Sequence, residues 1–255
     1  MKREDRHRDI LTRIERDGRL QVKDVADALN VSDMTIRRDL EFLEQHGALY
    51  RVHGGAVSPA THSFDPGYLT RSLHRTDAKK AIGVQVADLL AEHESLVLDA
   101  GSTTLAVAHA ISGVGRTLRV LTVDLRIADV LGDDTGIHLM LPGGTVRPFE
   151  RVLNGSWTEK AFNDVHFDTY VLSAGGVHVG AGITEYDPDD AAVKRAAKAS
   201  ARRTILAVDS SKLDTVAFSS VCGLADIDVL VTDPAGGSTA AVKESVANGI
   251  DVHLV

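Results

Sequence analysis

The chain has 255 residues, of which 44% are hydrophobic and 25% charged, as is usual for a globular protein that can bury a sizeable core. No apolar run approaches the roughly 18 residues that a membrane span needs. The charged N-terminus lacks the apolar segment of a signal peptide, so we expect a cytoplasmic protein. The net charge of −8 belongs to the later part of the chain: residues 1–58 carry 11 basic and 11 acidic side chains, whereas residues 59–255 carry 17 and 25.

The cysteine and histidine content argues against metal and redox chemistry. Cys222 is the single cysteine, so it has no intrachain disulfide partner, and its apolar neighbours are typical of a core position. The eleven histidines are scattered without the spacing of metal ligands. The sequence therefore predicts neither a metal site nor a bound cofactor.

The first segment, residues 1–57, predicts three helices and a β-hairpin. Apolar residues recur at helical spacing in three stretches, which end at Gly18, Asn30 and Gly47. Ser32 stands where the third helix needs an N-cap. The run ALYRVHGGAV that follows alternates in polarity and then turns at Gly54-Gly55, as a small hairpin would.

The third predicted helix has a basic outer surface. If Ile36, Leu40 and Leu43 face inward, the ~100° step per residue places the intervening polar residues outward. Short polar residues followed by two arginines fit a helix whose N-terminal half enters the major groove of DNA, although most charged helix faces are merely solvated. The complete unit of short helices, tight turn and basic hairpin favours DNA binding. The candidate DNA-binding residues are Ser32, Met34, Thr35, Arg37, Arg38, Arg51 and His53.

Residues 58–76 contain two prolines and little periodicity, which predicts a linker. From residue 77 onward, seven apolar strand candidates between Ser95 and Val255 alternate with alanine-rich helices. This alternation predicts an α/β domain over residues 77–255, with a parallel sheet covered on both faces.

Three glycine-rich turns follow strands of this predicted sheet: LDAGSTT (98–104), LPGGTVRP (141–148) and SAGGVHVGAGIT (173–184). Ligands of open α/β sheets bind at the carboxyl ends of strands, and a helix N-terminus with hydroxyl side chains can hold an anion. Glycine turns and Ser/Thr caps also have purely structural uses, so each turn alone leaves both interpretations open. Lys194 and Lys212, each judged singly, are surface residues as readily as ligands.

The two segments together resemble one known family. The run from Val25 to Ala56 is similar to the DNA-binding signature of the DeoR family of bacterial regulators, and its VSxxTIRRDL…HGGA pattern is met without a gap from Val31. The later segment resembles that family's sensor domain, which has a fold like ribose-5-phosphate isomerase and glucosamine-6-phosphate deaminases and typically binds sugar phosphates. The resemblance extends from about residue 3 to the end.

The resemblance implies an effector site made by the glycine turns and the two lysines. One position departs from the family pattern: where the family usually has Thr-Asn, this chain has Thr122-Val123-Asp124. We expect Asp124 to face the sugar end of the ligand, since a carboxylate among phosphate ligands would repel. The candidate effector-binding residues are Asp99, Gly101, Ser102, Thr103, Thr104, Asp124, Gly143, Gly144, Arg147, Gly175, Lys194 and Lys212.

These observations predict a homo-oligomeric repressor, a dimer or tetramer, of carbohydrate-metabolism genes, which binds operator DNA and is controlled by a sugar phosphate. One alternative is a sugar-phosphate isomerase or deaminase fused to a DNA-binding domain, with a base among Glu185, Asp187, Asp189 and Asp190. Another is a regulator whose second domain only oligomerises. Whether the ligand releases or tightens DNA binding stays open.

Overall fold

The computed structural model describes residues 1–58 and 65–255, which divide into two compact units, Met1–His74 and Arg75–Val255. Within these described ranges no helix is long and apolar enough to cross a membrane.

The first unit is a winged helix-turn-helix. Its three-stranded antiparallel sheet has the order β1-β3-β2, and its core is formed by the inward faces of the helices, including Ile10, Ile36 and Leu43. Left-handed residues end two of the helices, Gly18 with φ 72° and Asn30 with φ 51°. Its elements are α1 (Arg3–Asp17), β1 (Arg19–Gln21), α2 (Val22–Leu29), α3 (Asp33–Gln45), β2 (Tyr50–Val52), β3 (Gly55–Val57) and α4 (Gly67–Leu73).

The predicted linker is only partly a connecting segment. Residues 59–64 of the predicted 58–76 lie outside the described residues, whereas Gly67–Leu73 form α4 and the next helix begins at Thr76. Leu69 and Leu73 pack against the core of the first unit. Because these leucines are four residues apart, they lie on one helix face, but a helix of two turns is too short to show a periodic pattern.

The second unit is an α/β domain built on seven parallel strands in the order β15-β14-β12-β9-β4-β5-β6. All seven predicted strands are members of this one sheet. Its strands, together with those of two small antiparallel sheets, are β4 (Ser95–Leu98), β5 (Leu118–Thr122), β6 (Ile137–Met140), β7 (Thr145–Arg147), β8 (Val152–Asn154), β9 (Phe167–Leu172), β10 (Gly176–His178), β11 (Gly182–Glu185), β12 (Ala201–Ala207), β13 (Ser219–Cys222), β14 (Val229–Thr232) and β15 (Asp251–Leu254).

Helices cover both faces of the seven-stranded sheet, as the buried strands predict. Successive residues alternate between two cores: Leu96 and Leu98 face one, and Val97 faces the other. Helices α5, α6 and α7 pack on the first face, and α9 and α10 on the second. The helices are α5 (Thr76–Asp88), α6 (Ser102–Ile111), α7 (Leu125–Leu131), α8 (Ser156–Lys160), α9 (Pro188–Ala199) and α10 (Ala240–Ala247).

Four of the parallel strands are followed by a buried aspartate at the carboxyl end: Asp99 after β4, Asp124 after β5, Asp209 after β12 and Asp233 after β14. Because parallel strands end at the same edge of the sheet, these carboxylates line one edge. Ligands bind at this edge in open α/β sheets, so it locates the candidate effector site.

Candidate DNA-binding surface and effector site

The start of α3 is a capped helix end with two exposed arginines. The Ser32 side chain accepts a hydrogen bond from the Thr35 N–H at 3.2 Å, and their hydroxyl oxygens are 2.9 Å apart, so both residues cap the helix. Met34 is 59% exposed. Arg37 and Arg38 are exposed and, among the described residues, have no carboxylate partner. Their guanidinium groups can therefore pair with an external anion.

Asp39, next to these arginines, has a different role that the sequence did not reveal. Its carboxylate is buried and accepts hydrogen bonds from Arg6 and, at 3.0 Å, from His7 Nε2 on α1. The His7 ring also stacks on Phe42, with the ring centroids 5.1 Å apart. Burial lowers the pKa of His7, although Asp39 opposes the shift. Asp39 follows the core residue Ile36 by three positions. Residues at this spacing lie on one face of a helix, so the sequence did contain a sign that Asp39 faces inward, towards α1.

The wing is the β2–β3 hairpin, whose first strand is exposed along its length. The Arg51 N–H donates to Glu44 Oε1 at 2.8 Å, and the Arg51 guanidinium lies 3.7 Å from Glu44 Oε2. Arg51 thus already interacts with Glu44 in the second half of α3, and a DNA phosphate would compete with Glu44 for the Arg51 guanidinium group. His53 is exposed near the hairpin turn.

The N-terminus of α6 forms the centre of the candidate effector site. Gly101, with φ 139°, adopts a conformation that favours glycine, and its N–H donates to Asp124 Oδ2 at 3.2 Å. Thr104 is fully buried, and its hydroxyl donates to the Gly101 carbonyl at 3.1 Å. Ser102 is partly exposed, and Thr103 is 7% exposed, whereas Thr104 is 0% exposed. The hydroxyls that can reach a ligand are therefore those of Ser102 and Thr103, while Thr104 supports the turn.

Asp124, which we expected to face the sugar end of the ligand, is engaged within the protein. Its side chain is 0% exposed and caps α7, because Oδ1 accepts from the Arg126 N–H at 2.8 Å while Oδ2 holds Gly101. Burial raises the pKa of this carboxyl, against the hydrogen bonds from Arg126 and Gly101. The physical reason is local: an aspartate that precedes a helix satisfies its free N–H groups. Asp124 thereby positions the turn that precedes α6.

Lys194 is a buried cation rather than a surface lysine. Its ammonium group contacts Asp99, the Ser173 hydroxyl at 2.9 Å and Glu185 Oε2 at 3.3 Å. Burial alone would lower the pKa of Lys194, but Asp99 and Glu185 overcome this and raise it. The same Asp99 oxygen accepts from the Ser173 N–H at 2.9 Å. This cluster ties α9 to the ends of β4 and β9.

Arg147 is also paired within the protein. Its Nη1 donates to Asp190 Oδ2 at 2.6 Å, and its Nε lies 3.6 Å from Asp187 Oδ2, at the N-terminus of α9. Burial raises the pKa of Asp190 to about 6, with Glu185 and Asp187 adding to the rise and Arg147 opposing it. The arginine that the sequence predicted as a phosphate clamp thus already neutralises an acidic group.

In the other two turns, Gly144 and Gly175 allow close packing. A Cβ on Gly144 would lie 2.1 Å from Thr158 Oγ1, the hydroxyl that donates to the Gly143 carbonyl at 2.8 Å. This contact holds the β7–β8 hairpin against α8. A Cβ on Gly175 would lie 2.9 Å from Glu185 Oε1. Gly143 and Gly144 therefore serve the hairpin, whereas Gly175 makes room for the Lys194 cluster.

Lys212 lies at the same sheet edge as the Lys194 cluster, on a short helical turn after β12 that the sequence patterns did not predict. It ends a three-residue 3-10 helix, Ser210–Lys212, that Asp209 caps, and its ammonium group is 5.4 Å from the centroid of the Tyr186 ring. The buried Lys79 of α5 lies 3.7 Å from Asp209 Oδ2. Lys79 precedes the core residue Ile82 by three positions, which was the sequence sign of its inward position.

A winged helix-turn-helix joined to an α/β domain with polar groups along the sheet edge defines a DNA-binding transcriptional regulator. Residues 6–62 match the DeoR-like helix-turn-helix domain, and residues 74–234 match the DeoR C terminal sensor domain. The chain belongs to the DeoR family of transcriptional regulators.

Two relatives are similar along nearly their whole length. The HTH-type transcriptional repressor GlcR of Bacillus subtilis is 33% identical over 233 residues, which cover 91% of this chain and 89% of the relative. The glycerol-3-phosphate regulon repressor of Haemophilus influenzae is 32% identical over 232 residues, covering 91% and 90%. Both relatives are named as repressors rather than as isomerases or deaminases.

Among solved structures, ribose 5-phosphate isomerase A of Methanocaldococcus jannaschii aligns over 54% of each chain, with 14% identity and a TM-score of 0.40. A likeness of this size carries no argument about ligands or activity.

Proposed function

We propose that this regulator represses carbohydrate-metabolism genes as a homo-oligomer, and that a sugar phosphate bound at the sheet edge of the second unit controls it. The names of the two relatives, a repressor and a glycerol-3-phosphate regulon repressor, support repression and a phosphorylated effector. A single recognition helix covers few base pairs, so repeated half-sites and a symmetric oligomer are needed for useful specificity.

For DNA, the supporting observation is that Arg37 and Arg38 on α3 are exposed and pair with no carboxylate among the described residues. Arginine reads guanine bidentately or holds phosphate. Ser32 and Thr35 act indirectly because they cap the helix that presents the arginines, and Met34 adds an exposed apolar contact for a thymine methyl group. Arg51 and His53 contact the sugar-phosphate backbone from the wing.

For the effector, the observation that carries the proposal is the N-terminus of the ten-residue helix α6, held by Asp124 and bearing the hydroxyls of Ser102 and Thr103. A helix N-terminus binds phosphate through its backbone N–H groups and its dipole. The sugar hydroxyls then meet the acidic groups Asp187 and Asp190, and Lys212 approaches from the neighbouring turn. The sheet edge is held in position by Asp99, Gly175 and Lys194. The hairpin that bears Arg147 is held in position by Gly143 and Gly144.

The test is a thermal-shift titration of the full chain with glycerol 3-phosphate, glucose 6-phosphate, fructose 1-phosphate, the free sugars and inorganic phosphate. A ligand that binds only the folded state raises stability with its concentration. We expect a phosphorylated sugar to raise the melting temperature while its free sugar does not. Thr103→Val should weaken that binding by roughly 1.5–3 kcal/mol, the cost of losing a hydroxyl that meets a charged group.

Thr117→Val is the matched control, since Thr117 is exposed and lies before β5, at the opposite end of that strand from the site. If no sugar phosphate shifts the wild-type chain, the sugar-phosphate proposal is wrong. An undiminished shift in the Thr103 variant would instead place the phosphate away from α6.

A further inference from the structure

A second polar cluster lies on the sheet edge where the chain enters the second unit. We call it the Arg75 clasp, and its members lie at the start of α5 and at the ends of two adjacent strands. Asp209 and Asp233 are 2% and 6% exposed. The clasp consists of Arg75, Lys79, Asp209, Ser210 and Asp233.

Hydrogen bonds and ion pairs close the clasp. Arg75 Nη1 donates to Ser210 Oγ at 2.8 Å and lies 3.5 Å from Asp233 Oδ2. Arg75 Nε lies 3.8 Å from Asp209 Oδ1. The Ser210 hydroxyl donates in turn to Asp233 Oδ2 at 2.8 Å. The buried carboxylates of Asp209 and Asp233 are thus paired with basic residues of the first turn of α5 and the residue before it. Loss of Arg75 would leave their negative charge only partly neutralised.

The backbone of Arg75 is strained. Its φ of 49° and ψ of 40° are left-handed, a conformation that side chains other than glycine rarely adopt. Such a conformation persists where surrounding contacts over-determine it, and it is frequent in switch regions. Here those contacts are the ones made by the guanidinium group together with the hydrogen bond from the Lys79 N–H to the Arg75 carbonyl at 3.0 Å. Opening the clasp would remove the side-chain part of these contacts.

The turn that Arg75 contacts through Ser210 also carries Lys212, one of the residues proposed to bind the effector. Ser210 and Lys212 are the first and last residues of the same three-residue 3-10 helix. Lys212 faces the Tyr186 ring, and the Tyr186 N–H donates to Glu185 Oε1 at 2.8 Å, next to Lys194. Backbone hydrogen bonds close this turn, from the Lys212 N–H to the Asp209 carbonyl at 3.0 Å and from the Leu213 N–H to the Ser210 carbonyl at 3.3 Å. A phosphate that draws Lys212 would therefore also displace Ser210 from the Arg75 guanidinium.

We propose that Arg75 is a positioning residue that couples effector binding to DNA affinity through the Ser210–Lys212 turn. This inference rests on the effector site proposed above. The clasp has two arrangements, closed without ligand and open when Lys212 is engaged, and a ligand shifts such an equilibrium only by its differential affinity for the two. The change passes to the chain immediately before Arg75, which leads from the first unit.

The experiment measures the Kd of the full chain for a duplex selected from a random-sequence library, with and without glycerol 3-phosphate, glucose 6-phosphate or fructose 1-phosphate. The variants are Arg75→Ala, Arg75→Gly and Ser210→Ala. Arg75→Gly removes the guanidinium group, but glycine adopts the left-handed backbone without strain. This variant therefore distinguishes the effect of losing the side-chain contacts from the effect of backbone strain. Arg202→Ala is the control, because Arg202 is an exposed arginine of β12 whose partner is Asp168.

We expect at least one sugar phosphate to change the DNA Kd of the wild-type chain and the Arg202 variant by about tenfold, a usual coupling magnitude. In the Arg75 variants that change should fall to within about twofold, while the sugar phosphate still raises the melting temperature. Ser210→Ala should reduce the change by less.

If a sugar phosphate changes the DNA Kd of both Arg75 variants as much as that of the wild-type chain, the proposed coupling is wrong, while the proposed effector site still stands. Loss of ligand binding in these variants would also overturn it, since Arg75 would then be part of the ligand site itself. If no sugar phosphate shifts the melting temperature of the wild-type chain, the effector proposal fails first and the coupling fails with it.

Discussion

The arginines of α3 and the basic side chains at the sheet edge of the second unit differ in how their charge is compensated. Arg37 and Arg38 are exposed without a carboxylate partner in the described residues, whereas Arg147 and Lys194 are bound to acidic groups. A polyanion with many phosphates favours uncompensated surface cations, because neutralising each phosphate releases counterions. A small ligand that must be distinguished from its analogues requires a site whose groups are already fixed in place.

The largest effect that this comparison predicts is on stability. Lys194→Met should lower the free energy of unfolding by about 3–5 kcal/mol, because it leaves the buried Asp99 and the partly buried Glu185 without their cation. Urea unfolding followed by circular dichroism measures it. Lys243→Met is the control, since Lys243 is exposed on α10, and it should stay within about 0.5 kcal/mol of the parent. Equal stability of the two variants would show that Lys194 is not the buried counter-charge.

A second effect depends on pH. The pKa of Asp190 is raised from 3.8 to about 6 by burial and acidic neighbours. Between these values the folded chain binds more protons than the unfolded chain, so stability falls as pH rises. Relative to Asp190→Asn, the wild-type chain should lose at most about 3 kcal/mol between pH 4 and pH 7. Urea unfolding at several pH values tests this, with the exposed Asp189→Asn as control. A pH-independent difference would contradict it.

A third effect is confined to DNA. Arg37→Ala and Arg38→Ala should each weaken binding to a selected duplex by ~1–3 kcal/mol if the side chain contacts a base. Neither should change the free energy of unfolding by more than about 0.5 kcal/mol, since no described partner is left behind. Gel-shift titration and urea unfolding of the same preparations provide both numbers. Undiminished affinity in both variants would rule out α3 as the recognition helix.

Sequence patterns predicted the elements that are long or regular. All seven strands of the parallel sheet were apparent because buried parallel strands are continuous apolar runs. Strand β1, the hairpin β7–β8 and the sheet β10-β11-β13 were not, because these short strands mix polar and apolar residues and form no continuous apolar run.

In the site, the three glycine turns were predicted but the partners of the charged residues were not. Arg147 pairs with Asp190, 43 residues away, and Asp124 holds Gly101 across 23 residues. Nothing in the local sequence distinguishes an arginine that awaits a ligand from one already neutralised. At Asp124, the pattern of an aspartate before a helix did contain a usable sign of its capping role.

The most direct test of the contrast between the two units is the salt dependence of DNA binding. The slope of log K against log [salt] falls by about 1 for each lost phosphate contact. We predict this reduction for at least one of Arg37→Ala and Arg38→Ala, and an unchanged slope for Arg147→Ala, because the Arg147 charge is already neutralised by Asp190. An unchanged slope in both α3 variants, or an equal reduction in the Arg147 variant, would contradict the account.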